Sequence, residues 1–234
     1  PQALGGRYRF VEVLYEDPYI ILASKPAFVE HEAFAQTIQN YLLRQTRGQG
    51  HPYVGQMHRL DKETSGVMIF TKKKIANTLA DQFRDHTIRK FYVALVQGRV
   101  PRDEGTINRP LQKGEFEEGK KARVAEDEAS GKRAVTTYRV KERYAQATLL
   151  NVEILTGRTH QIRIHMSSIG HPVVGDKLYG DEKGLSFKRH VLHAERLDFT
   201  HPITNKKMKV LAPLPQDIQK LIEEFSRLPG VGPK

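Results

Sequence analysis

The run His58-Arg59-Leu60-Asp61-Lys62-Glu63-Thr64-Ser65-Gly66 sets one carboxylate, Asp61, behind a His-Arg pair and ahead of a turn of small residues. Val67-Met68-Ile69-Phe70 follows at once and anchors the segment. An aspartate is ionised at neutral pH, and a nearby cation keeps it so even when buried. Alone, such a residue more often caps a turn than reacts. A second polar cluster runs from Thr156 to Met166 and carries Arg158, His160, Arg163 and His165. His160 and His165 are five apart, so a helix turns them to different faces. With no His-Glu-x-x-His pattern and no cysteine, neither a zinc site nor any other metal is expected. Gly114-x4-Gly119-Lys120 matches most of a phosphate-binding loop. Lys121 replaces the magnesium-holding hydroxyl, and Glu115, Glu117 and Glu118 repel phosphate, so that reading is rejected.

The elements that must hold these residues are partly visible. Tyr19-Ile20-Ile21-Leu22-Ala23, stopped by Lys25-Pro26, and Val67 to Thr71 have the length and composition of buried strands. So do Phe91 to Val96, ending at Gly98, and the segments Val135 to Val140 and Leu149 to Leu155. Thr37 to Leu43 suits a short helix, and Ile75, Leu79 and Phe83 repeat at helical spacing. Thr156 to Gly170 fits both periods. Read as a helix it has Thr159 as its cap, Ile162, Met166 and Ile169 on one face, Gly170 as its stop and Pro172 beyond, so a helix is expected. Residues 113–134 are charged and poor in apolar side chains, a mobile loop or hairpin tip. Ile218, Leu221, Ile222, Phe225 and Leu228 form a last helical stripe that packs a core.

The 234 residues carry 38 Lys and Arg against 27 Asp and Glu, a formal charge of +11 and a pI near 9.7. That balance favours a polyanionic partner. No apolar run reaches the ~18 residues that span a bilayer. The chain has no cysteine, which excludes disulfides and thiolate catalysis and fits a reducing compartment. Pro1 to Gly6 lead into no signal-peptide core, and the expected location is cytoplasmic.

Several segments, in order, resemble the motifs of the RluA-type pseudouridine synthases. They are Lys25-Pro26, His58 to Gly66, Lys90-Phe91-Tyr92, Thr156 to Met166 with Gly170-His171-Pro172 and Gly175-Asp176, and Leu192-His193-Ala194 with His201-Pro202. They extend from about Val11 to about Pro213. His58, and Arg158-Thr159-His160-Gln161, separate the chain from the related small-subunit branch. One segment departs: the family pattern continues Lys-Pro with Ala-Gly and soon Val-His-Pro, whereas this chain has Ala27-Phe28-Val29-Glu30-His31-Glu32. An altered loop is expected there, affecting substrate choice more than chemistry.

The resemblance implies an α+β pseudouridine synthase fold: a central, mainly antiparallel mixed sheet, flanking helices and a catalytic cleft. It implies one catalytic domain over 1–234, with a core of about 11–213 and a C-terminal helix of about 216–228. No small N-terminal RNA-binding module is visible. The implied reaction isomerises uridine in RNA, ribosomal before transfer RNA, with the target base flipped out of its stack. No cofactor, membrane or obligatory protein partner is expected, and the chain is expected to act as a monomer. By the same resemblance Asp61 is catalytic and Arg163 supplies its cation. Tyr92 stacks on the target base, Leu192 walls the pocket, and Arg59 reaches into the space the base vacates. The plainer readings are core packing for Tyr92 and Leu192, and a salt bridge or phosphate contact for Arg59. A catalytically inert RNA-binding protein and a base-removing glycosylase are the competing functions.

Overall fold

The longest apolar runs become the most buried strands. The computed structural model describes residues 11–47, 50–74, 76–113, 124–126, 131–180 and 184–227. In chain order the elements are β1 (Val13–Glu16), β2 (Ile20–Lys25), α1 (His31–Gln45), β3 (Gly55–Gln56), β4 (Ser65–Thr71) and α2 (Ala76–Arg84). Then come β5 (Arg89–Gln97), β6 (Glu104–Asn108), β7 (Leu111–Lys113), β8 (Val124–Glu126), β9 (Val135–Arg143) and β10 (Ala147–Ile154). The chain closes with α3 (Gln161–Ser168), β11 (Leu192–Thr200), β12 (Lys207–Leu211) and α4 (Gln216–Arg227). This is the α+β class the resemblance implies. The chain divides into two compact units, Pro1–Ile88 with Ala194–Pro213, and Arg89–His193 with Leu214–Lys234.

In the first unit the strand order is β1-β2-β4-β11, with β3 on β4 and β12 on β11. The β1–β2, β2–β4, β3–β4 and β11–β12 ladders are antiparallel. Ile20 to Ala23 and Val67 to Phe70 have no exposed surface. Burying such side chains stabilises by about 1.5–3 kcal/mol each before chain entropy is counted. Helix α1 is longer than the expected Thr37 to Leu43. Its buried Phe34, Ile38 and Leu42 follow a four-residue spacing, and Phe34 packs on Phe70 with ring centroids 5.9 Å apart.

In the second unit the order is β5-β10-β9-β6, with β7–β8 a separate hairpin. The β5–β10 ladder pairs Tyr92 with Val152. Val93, Leu95, Tyr144, Leu149, Val174, Val191, Ile218 and Phe225 form its core cluster, so α4 buries the face its sequence predicts. Leu228 of the expected stripe lies outside the described residues. The pairing of β7 with β8 overlaps the expected segment 113–134; residues 114–123, which hold the rejected phosphate-loop pattern, and 127–130 lie outside the described residues. Among the described residues no helix is long and apolar enough to cross a membrane.

Candidate active site

Asp61 leads out of the segment between β3 and β4, and the surrounding contacts brace it. The Thr64 N–H donates to the Asp61 carbonyl at 3.0 Å, closing a turn over Lys62 and Glu63. Thr64 and Ser65 are buried, whereas Asp61 is partly exposed. The Lys25 ammonium, with no exposed surface, donates to the carbonyls of Pro26 at 3.0 Å, Val29 at 2.8 Å and Lys62 at 3.2 Å. One buried cation thus ties the loop after β2 to the residue following Asp61. Three carbonyl oxygens accept hydrogen bonds from this buried ammonium, which offsets the cost of its burial.

His58 is a packed side chain. Its Nε2 accepts the Ile69 N–H at 3.1 Å, which puts the ring proton on Nδ1, and the ring stacks on Phe83 with centroids 5.2 Å apart. Gly66 has φ +122°, and a Cβ there would lie 2.1 Å from the Ala194 carbonyl oxygen. Glycine is required where β4 passes β11. Arg59 is exposed on the same segment. Of the basic runs, Lys72 pairs with Glu16 at 2.6 Å and Lys73 sits over the Tyr19 ring at 4.7 Å, while Lys74 is exposed.

The remaining candidates belong to the second unit. Tyr92 lies on β5 with 8% exposure, and Leu192 opens β11 with 4%. The Leu192 carbonyl accepts from buried Arg189, which itself grips Asp217 of α4 at 2.9 and 3.1 Å. Arg163 is the third residue of α3. Its Nε donates to Asp176 Oδ2 at 2.6 Å and its Nη2 to Oδ1 at 2.8 Å. The fork that the resemblance reserves for Asp61 therefore holds another carboxylate on its Nε edge. The same guanidinium lies 5.2 Å from the Tyr179 ring centroid. Burial alone would raise the Asp176 carboxyl, but Arg163 and the N–H groups of Leu178 and Tyr179 hold it below the usual carboxylate range.

The helix begins one residue later than the expected Thr159 cap implies. His160 stands at the N-cap with φ 55° and no side-chain cap bond. Gln161 explains the change: its Oε1 accepts from Arg158 N–H and Thr156 hydroxyl, and its Nε2 reaches Val135 O and Thr136 Oγ1. The first turn is thus organised by a buried amide. The C-terminal expectation stands, with Gly170 at φ +84° and His171 N–H bonded to Met166 O. Ile162 and Met166 are buried, as expected of an anchored helix.

Three polar groups escaped individual attention in the sequence: Asp176, Gln161 and Lys90. Lys90 is 7% exposed, with Nζ 3.3 Å from Thr156 O. Burial, then the charge of Arg158, pulls its ammonium down to about 8. Its place two residues before Tyr92 was visible, but its burial was not.

A family model described as RNA pseudouridylate synthase matches residues 19–168. The ribosomal large subunit pseudouridine synthase D of Zymomonas mobilis is 39% identical over 231 residues, spanning 91% of this chain and 72% of that protein. The ribosomal large subunit pseudouridine synthase C of Salmonella typhi is 36% identical over 222 residues, spanning 90% of this chain and 69% of that one. The solved human RNA Pseudouridylate Synthase Domain Containing 1 superposes with a TM-score of 0.75 at 24% identity, covering 97% of this chain and 99% of that one, which shows the shared fold. The motifs that opened the sequence reading lie within the matched region or follow it in family order, and the chain belongs to the RluA-type RNA pseudouridine synthases, a family of isomerases.

Proposed function

We propose that this chain isomerises specific uridines of ribosomal RNA to pseudouridine, with Asp61 as the catalytic residue. The observation that carries the proposal is the brace on the Asp61 turn: buried Lys25, packed His58 and obligatory Gly66. Such investment around one partly exposed carboxylate suits preorganised chemistry better than a simple turn cap. The names of the 39% and 36% identical relatives support ribosomal RNA over transfer RNA.

The reaction breaks the bond from ribose C1′ to N1 of uracil, turns the base, and joins C1′ to C5. The C5 proton leaves to solvent and N1 takes one up, so the formula of the RNA is unchanged. Asp61 either attacks covalently or promotes elimination across the sugar. Tyr92 stacks on the flipped base, Leu192 walls it, and Arg163 supplies positive charge for the carboxylate. Arg59 enters the space that the base leaves. Flipping costs a few kcal/mol, which phosphate contacts by basic side chains offset. The proposed unit is a single catalytic domain, acting as a cytoplasmic monomer without cofactor or obligatory protein partner.

Release of tritium from C5 of uridine in unmodified ribosomal RNA tests the reading. The chain is expected to release it and Asp61→Ala is not. Free uracil as product would favour the glycosylase, and RNA binding without release the inert binder.

A further inference from the structure

The loop after β2 is where this chain departs from its family pattern, and its backbone is unusual there. Phe28, in the place of the family glycine, has φ 67°. A bulky side chain in the left-handed region is a true outlier, and such strain persists only where the surroundings enforce it, most often at ligand sites. The enforcement is visible. Buried Lys25 binds the carbonyls of Pro26 and Val29, on either side of Ala27-Phe28. Val29 is 5% exposed and anchored inward, whereas Phe28 is 46% exposed. A single exposed apolar residue is ordinary. One held outward in a strained conformation, at a position where glycine would serve, is not.

The same Lys25 ammonium holds the Lys62 carbonyl, so the loop is fixed to the Asp61 turn. Glu30 lies 3.4 Å from the Lys62 ammonium. This pairing reduces the repulsion a polyanion would meet here.

We propose that Phe28 is a base-stacking platform: it receives an unpaired nucleobase of the RNA substrate beside the target uridine. This rests on the RNA-modifying reading above. Extrusion of a target base leaves its neighbours without a stacking partner, and aromatic rings accept any base on their face. The loop residue that distinguishes this chain from its family would then contribute to substrate choice.

The test compares Phe28→Asn with Phe28→Tyr in the whole chain. Asn tolerates the left-handed conformation but lacks the ring, whereas Tyr keeps the ring. Filter binding to unmodified ribosomal RNA fragments and tritium release are both measured. Phe28→Asn should fold with an unchanged or higher thermal midpoint, weaken RNA binding about tenfold, and raise KM similarly with a much smaller change in kcat. Phe28→Tyr should restore both. Unchanged binding and KM in Phe28→Asn would overturn the proposal, as would a Tyr variant as weak as the Asn variant. If the unaltered chain releases no tritium, the catalytic reading fails, while the binding comparison still decides the role of Phe28.

Discussion

Replacing Asp176 by Asn isolates the charge that holds Arg163. Side-chain exposure is 8% for Arg163 and 0% for Asp176, and the two bonds measure 2.6 and 2.8 Å. Asn retains an oxygen for the N–H groups of Leu178 and Tyr179, which Asp176 Oδ1 now accepts. At an effective dielectric of about 20, opposite charges about 4 Å apart attract by roughly 4 kcal/mol. Losing the charge-assisted character of these two bonds costs about 1.5–3 kcal/mol, and that loss is expected at pH 7 in urea unfolding followed by circular dichroism. The Asp176 carboxyl is depressed in the folded state, so its contribution is complete above the ordinary carboxylate pKa. It is lost as pH falls below that range through the folded value. The variant and the parent should therefore converge in acid. A loss below about 1 kcal/mol at pH 7, or an equal loss at pH 3, would refute the reasoning.

Gly66→Ala would place its Cβ 2.1 Å from a backbone carbonyl oxygen at φ +122°. A drop of roughly 6–15 °C in thermal midpoint is expected, and a drop within about 2 °C would contradict the close β4–β11 approach. Lys90→Met tests the buried amine. Because its folded value is lowered to about 8 from 10.5, the parent should gain stability as pH rises from about 8 toward the unfolded value. That gain, on the order of 1–3 kcal/mol, should be missing in the variant. Parallel stability curves for the two proteins across that window would exclude the assigned shift.

Continuous burial made β2, β4 and β5 legible, because Ile20 to Ala23, Val67 to Phe70 and Val93 to Val96 leave no polar face to confuse the pattern. Strands such as β12, with one buried residue among five, offered no such signal. Helix α1 was under-read although Phe34, Ile38 and Leu42 carry its spacing, since the polar start His31-Glu32 resembles a loop. Residues Gln161 to Met166 of α3 are all buried, so periodicity could not separate helix from strand and only the end signals did. The Gly170 end was correct because φ > 0 is a local demand. The Thr159 end shifted by one residue because Gln161 finds its partners on β9, which local sequence does not reveal. Asp61 stood out through its motif, while the bond from Asp176 to Arg163 depended on how the loop after α3 folds back.

The most direct test maps pseudouridine across the transcriptome of cells with and without the gene, complemented with the parent chain or with Asp61→Asn. The account predicts that discrete ribosomal uridines lose the modification, regain it with the parent and fail to regain it with the variant. An unchanged ribosomal map, loss confined to transfer RNA, or restoration by Asp61→Asn would contradict it.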